Sequence, residues 1–446
     1  MQQDIHALTD PSAKTRRETL LRLVAGSLPP QDTRPAVQRG VNLHCHTIYS
    51  YNGYGHSPSS LAWLARSQGW YALGTVDFDV LDGVDETLWA CAQVGVRGAA
   101  GIETRVYLPD RPDAVFNSPG EPGVMYYVGI GFGSSIAPPA ARPVLDDLRA
   151  RAEARNREMV ALLNDYLAPV AVDYERDVVP LTPTGNATER HLLIAYDAVA
   201  RRHFAQRALL VAFWADKLDM PADDVDAFLG DEPHPHDAIR ARLMKQGGVG
   251  YMAPGPEAFP PLDTVIAAMT ACGALPCYAF LDGQSNGEAD MAALLESLIE
   301  RGTLGLVVIP DRNWNVNDTT LQQELVRRLH ATLDLASDLG LPVFIGTEMN
   351  KPGQLLLDDL RVPALAPFAG QFIAGADLIH AHTVLQRLHG IGYLSEWARG
   401  WLPDRRERVA FYAALGSKLR PGTGNEWTIT PDLLSSGPEA LLAREW

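Results

Sequence analysis

From Gly40 onward the chain alternates short apolar runs with stretches of helical spacing. The runs are VNLHCHT, YALGTVDFD, RGAAGIETRV, GVMYYVGIGF, ALPCYAFLD, LGLVVIPDRN and PVFIGTEMN. They are nearly continuous in apolar residues, as strands covered on both faces are. Helical patterns at 57–69, 85–95, 261–272, 290–300 and 319–340 separate most of them, which predicts a parallel sheet wrapped by helices. Seven such strands predict a barrel rather than an open sheet. The rhythm breaks at about 138–255, where LDDLRARAEARNREMVALLNDYL, RHLLIAYDAVARRHF and DAIRARLMKQGG are helix patterns with no strand between them. This stretch is expected to be a helical insertion into the barrel. Residues 12–28 predict an amphipathic helix, ended by a Pro pair and lying outside the core that follows. The expected division is an N-terminal helical extension (1–39), the barrel (40–395) and a C-terminal helical extension (396–446).

Composition narrows the class. The chain has 446 residues, 46% of them hydrophobic, enough for a large core. Its net charge of −16 argues against nucleic acid as a partner of the whole molecule, though not against a local pocket for a small anion. Four cysteines at irregular spacing fit a reduced, cytoplasmic protein. The N-terminus has no apolar core of a signal peptide, and no stretch predicts a membrane span.

The strand ends carry the candidate chemistry. The first run ends in His44 and His46, the second in Asp77, Phe78 and Asp79, and the third in Glu103. The later ones carry Tyr126 and Tyr127, then Phe280 and Asp282, then Asp311 and Asn313, then Glu348 and Asn350. In a parallel barrel these ends converge on one face. Residues two apart on a strand share a face, so His44 and His46 can bind one metal ion. A carboxylate from another strand would complete the site, with Glu103 and Glu348 as candidates.

The segment NLHCHTIYSYNGYGHSPSSLAWLARSQGWYALGTVDFDVLDGVDE resembles the opening of the PHP (polymerase and histidinol phosphatase) family, with its H-x-H-T-x-x-S, S-P and D-H-D pattern. GIETRV fits the family's Glu-bearing third strand, and ERHLLIAYDAVA is similar to its R-P-H-x-A segment. FPPLDTVIAAMTACGALPCYAF and GLPVFIGTEMN take the places of the stretches around A-H-P and S-D-x-H. The resemblance spans roughly residues 40–355. It implies a distorted (β/α)7 barrel, up to three divalent metals (Zn, Mn or Fe) and phosphoester hydrolysis. The departures are Phe78, Tyr126 and Phe280 at His positions, Glu348 at an Asp and Asn350 at a His. They leave ligands for one metal, on His44, His46, Glu103 and Glu348.

The expected function is therefore hydrolysis of a small, anionic, phosphorylated molecule through a single metal-activated water. Asp77 would orient or deprotonate the water. His191 would contact a substrate anion or protonate the leaving group, and Arg190 would bind a phosphate or carboxylate. Two alternatives stand beside this: a non-catalytic PHP-like protein that binds a ligand or partner, and an amidohydrolase-like barrel, which needs histidines that the fifth and sixth runs lack. His380 and His382 fall in a helical pattern and diverge there, and His234 and His236 fall in a Pro-rich loop. Cys45 is expected to face the packing layer, and Lys351 and Gln354 could reach a substrate.

Overall fold

The computed structural model describes residues 2–253, 255–422 and 427–446. Its centre is a seven-stranded sheet in sequence order: β1 (Val41–Cys45), β2 (Ala72–Phe78), β3 (Arg97–Tyr107), β4 (Val124–Ile130), β5 (Leu275–Phe280), β6 (Gly305–Val308) and β7 (Val343–Ile345). A parallel bridge between Cys45 and Glu348 brings the last strand back to the first, and the His46 amide donates to the Glu348 carbonyl at 2.8 Å. The sheet is thus a nearly closed barrel with helices around it.

One strand departs from the expected parallel arrangement. β4 is antiparallel to both β3 and β5. Parallel neighbours need a long crossover, usually a helix. Residues 108–123 between β3 and β4 hold turns and no helix, so the chain doubles back. Tyr126 therefore reaches the barrel mouth from the start of its strand, in register with Arg105.

This reversal also explains the insertion's position. The chain leaves β4 at the closed end of the barrel. The 25-residue helix Arg142–Tyr166 is about 37 Å long at 1.5 Å per residue, enough to carry the chain back to the mouth. Helices Glu189–His203, Arg207–Leu218 and Asp237–Leu243 follow it. They bury their own apolar cluster, which includes Leu163, Leu192, Tyr196, Trp214 and Leu243. Helix Leu262–Ala271 then leads into β5.

Both chain ends pack against this body. Helix Ala13–Ser27 was expected outside the core, yet Leu20 and Leu23 join Leu61, Trp63 and Trp70 in a shared cluster. Arg16 is fully buried there, with Nε 2.8 Å from Glu86 Oε1, Nη1 2.7 Å from the Asp10 carbonyl and Nη2 2.9 Å from Tyr49 Oη. Amphipathic spacing alone did not reveal this docking, because its anchor is a charged residue. At the other end, helix Ala369–His389 covers the barrel, and Tyr412, Leu415 and Leu419 sit in the main core with it. Among the described residues no helix is long and apolar enough to cross a membrane.

Candidate metal centre

β1 alternates Val41, Leu43 and Cys45 with Asn42 and His44, and all are buried. Cys45 packs outward among Leu61, Leu73 and Met349. On the other face Asn42 fastens the β1–β7 seam. Its Oδ1 accepts from the amides of His44 (3.1 Å) and Thr347 (3.3 Å), and its Nδ2 donates to Thr347 Oγ1 at 2.7 Å. The seam is so tight that only a glycine fits at 346. A Cβ there would lie 2.3 Å from His44 Cβ and 2.5 Å from its backbone nitrogen.

His44, His46 and Glu103 converge. Glu103 Oε2 is 3.2 Å from His44 Nε2 and 3.0 Å from His46 Nε2. One ligand atom from each residue lies within 4.8 Å of the others, and all three residues are buried. The Glu103 carboxyl is held well below the usual carboxylate range: burial opposes this, and the two imidazoles outweigh it. His46 is raised against its own burial by Glu103, then by Asp77 and Glu348.

The shell behind His46 fixes its proton. Asp77 accepts from the Thr47 amide and hydroxyl (both 2.8 Å) and from Ser50 Oγ at 2.7 Å. Because Ser50 gives its proton to Asp77, its oxygen is the acceptor toward His46 Nδ1, 3.2 Å away. Nδ1 therefore carries hydrogen, which leaves His46 Nε2, 3.0 Å from Glu103, as the nitrogen that a cation would take in place of a proton. That contact lacks hydrogen-bond geometry, and His46 Nε2 and His44 Nδ1 have no hydrogen-bond partner among the described residues. Two imidazole nitrogens and a carboxylate around one point, one of them with its tautomer set from behind, match the donor set of a divalent metal.

The other expected site residues lie elsewhere. Asp77 is occupied by Thr47 and Ser50, behind His46. Glu348 gives its carboxylate to Arg312, whose Nη2 is 2.8 and 2.9 Å from its two oxygens, and to Gln354 Nε2 at 3.1 Å. Its backbone, like that of Met349, takes a left-handed conformation (φ 65° and 57°), a strained state for residues with side chains. His191 caps the Glu189–His203 helix, its Nδ1 accepting from the Thr188 amide at 3.1 Å. Burial pushes its pKa down to about 4, so it is neutral near pH 7 and has no proton ready for a leaving group. Arg190 is buried and donates to Asp237 Oδ1 at 2.5 Å and the Pro235 carbonyl at 3.2 Å.

Between the barrel mouth and the inserted helices lies a cavity of about 930 Å³. Glu103, Phe78, Tyr126, Arg190, Arg312, Glu348, Lys351 and Gln354 all contribute to its wall. So do Asp311, one of the strand-end residues, and Arg105, which strand ends alone did not single out. Arg105 is two positions beyond Glu103 on β3, hence on the same face, a signal present in GIETR. Asp311 is pushed up to about 6 by burial and by Glu348. His380 and His382 do not line this wall; they are buried in helix Ala369–His389, with His382 Nε2 3.0 Å from the Gly131 carbonyl.

No protein-family model matches the chain, and no curated protein matches it. Among solved structures it is similar to an amidohydrolase from Chromobacterium violaceum with bound sulfate and no metal: 16% identity, TM-score 0.48, 75% of this chain and 96% of the other covered. It is also similar to a proposed metal-dependent phosphoesterase from Bifidobacterium adolescentis: 18% identity, TM-score 0.45, with 74% and 96% covered.

Proposed function

We propose that the protein is a divergent PHP-like, metal-dependent hydrolase acting on a small phosphorylated molecule. The observation that carries this reading is the convergence of His44 Nε2, His46 Nε2 and Glu103 on one point, with Ser50 and Asp77 fixing the His46 tautomer. A single Zn, Mn or Fe ion bound there would neutralise Glu103 and acidify a water. The chain's own residues do the rest. Glu103 presents the site to the cavity, while Ser50 and Asp77 hold His46 in place. Arg312, Arg105 and Arg190 line the cavity and favour an anionic group over a neutral one.

A binding-only role is the second reading. One observation favours it: of the three converging residues only Glu103 reaches the cavity wall, and Phe78 stacks on the His46 ring at a centroid distance of 4.3 Å. One experiment separates the two. Protein prepared without chelator is analysed for metal and assayed against phosphomonoesters and phosphodiesters with added Mn²⁺ or Zn²⁺, beside His44→Ala/His46→Ala. The hydrolase reading expects about one equivalent of metal and turnover, both lost in the variant. Bound metal with no turnover on any ester would refute it in favour of binding; no bound metal would refute the site itself.

A further inference from the structure

We infer that Arg312 is an oxyanion-binding residue, a fixed guanidinium beside the three converging residues that grips the substrate's anionic group. The inference rests on the anionic-substrate reading above and deepens it. Arg312 follows β6 on the short helix Asp311–Trp314 and borders the cavity.

Three observations converge on it. Its partner Glu348 is buried, with only 7% of its side chain exposed, while the Arg312 side chain is 42% exposed. The pair is neutral as a whole, yet the end open to the cavity is the cationic one. The other arginines of this wall are less open: 28% for Arg240, 20% for Arg105, 16% for Arg155 and 9% for Arg190. Second, only Nη2 is engaged, with Glu348. Nε and Nη1 have no partner among the described residues, so N–H donors on both remain for a ligand. Third, the anchor is rigid. Glu348 is bridged to Cys45, between the two histidines, and its carbonyl holds the His46 amide. Gln354 fixes the carboxylate from a second direction. Strained backbone that orients a charged side chain beside candidate ligands is characteristic of functional positions.

The chemistry follows from geometry. A guanidinium keeps its charge at all working pH values and offers directed N–H donors to a tetrahedral oxyanion. Glu348, expected as a fourth metal ligand, is then the residue that positions Arg312. The ligand class is a phosphate or sulfate group small enough to reach from Arg312 toward Glu103 across the mouth.

Isothermal titration with inorganic phosphate, on protein loaded with Zn²⁺, tests this without relying on turnover. The parent, Arg312→Gln, Arg312→Lys and Glu348→Gln are compared, each with its metal content measured. The expectation is at least tenfold weaker phosphate binding in Arg312→Gln, partial recovery in Arg312→Lys, and an intermediate loss in Glu348→Gln. Metal content should stay at the parental value in all four. Phosphate affinity equal within twofold in parent and Arg312→Gln overturns the role of Arg312 while leaving the anionic-substrate reading standing. A parent that binds no phosphate overturns that reading, and this inference with it. If Arg312→Gln does not fold, Arg312→Lys and Glu348→Gln decide: parental phosphate affinity in both overturns the inference.

Discussion

Replacing Gly346 with Ala tests whether the β1–β7 seam holds the candidate metal ligands in place. A new Cβ would sit 2.3 Å from His44 Cβ and 2.5 Å from the His44 nitrogen. Non-bonded carbons settle at about 3.5–4.0 Å, so the overlap exceeds about 1 Å. The obstacle is backbone together with a Cβ, so no side-chain rotation relieves it. β1 must move away from β7 by an amount comparable to the overlap, against Asn42, whose side chain bonds to both strands. Overpacking of this kind costs about 1–3 kcal/mol, or about 1–3 °C in unfolding midpoint for a chain of this length. The effect on the site is larger in proportion. Metal–ligand distances tolerate only about ±0.2 Å, and His44 Nε2 is carried by the residue that must shift. Calorimetric titration of Gly346→Ala with Zn²⁺ should show affinity reduced by about a hundredfold or more, alongside the lowered midpoint. The control is Gly370→Ala in helix Ala369–His389, where a Cβ meets nothing within 4 Å. That change should be neutral or stabilising by up to about 1 kcal/mol. Parental Zn²⁺ affinity and midpoint in Gly346→Ala would refute the argument that this seam sets the ligand geometry.

Ser50→Ala removes the hydroxyl between Asp77 and His46 Nδ1 and should weaken metal binding by about 10–100-fold with little loss of stability, checked by titration and thermal melts. Arg16→Met leaves Glu86 without its cation at a mostly buried contact and should cost about 3–5 kcal/mol in denaturant unfolding; a change under about 1 kcal/mol would show that the N-terminal helix is not anchored there. Burial raises the Asp358 carboxyl to about 8 against an ordinary 3.8, so the unfolded chain releases this proton first and stability falls as pH rises from about 4 to 8. Asp358→Asn keeps the acceptor for Trp314 Nε1 (2.6 Å to Oδ1) and should gain stability over the parent that is greater at pH 8 than at pH 5, read from melts at both. His382 shows the opposite sign: burial lowers it to about 4, so the unfolded chain takes up a proton first and stability is lost as pH falls from about 6.5 through 4, a loss that His382→Gln should diminish in acid melts.

What the sequence disclosed, and what it hid, follows from the range of each interaction. His44, His46 and Glu103 were legible because strand periodicity fixes which face each occupies, and the barrel then brings the strand ends together. The reversal of β4 was readable too, since no helical pattern separates RGAAGIETRV from GVMYYVGIGF. Arg312 was not: its role arises from Glu348, 36 residues later, and nothing local in PDRNW marks it. Arg16 was hidden in the same way, its partner Glu86 lying 70 residues away. The occupation of Asp77 did have a local signal in Thr47 and Ser50, three residues apart after the histidine pair. Reading it required knowing that the loop after β1 turns back over β2.

Phe78, Tyr126 and Phe280 shape the surroundings of His46. Phe78 lies flat on His46, Tyr126 stands 6.4 Å from Phe78, and Phe280 is fully buried in the barrel core. Phe78 and Phe280 offer no ligand atom: Phe78 packs on His46, and Phe280 fills the barrel interior behind it. Such a shell excludes water and lowers the local dielectric, which strengthens the attraction between Glu103 and a bound cation. It offers no ligand to a second ion there, while Arg312 claims the Glu348 carboxylate. The two features act together. Positive charge at the mouth is divided between one candidate metal position and a guanidinium that no chelator can remove. A chelated sample should therefore retain part of its phosphate affinity, and the part retained should vanish in Arg312→Gln. Full loss on chelation alone would show that the guanidinium does not share the task.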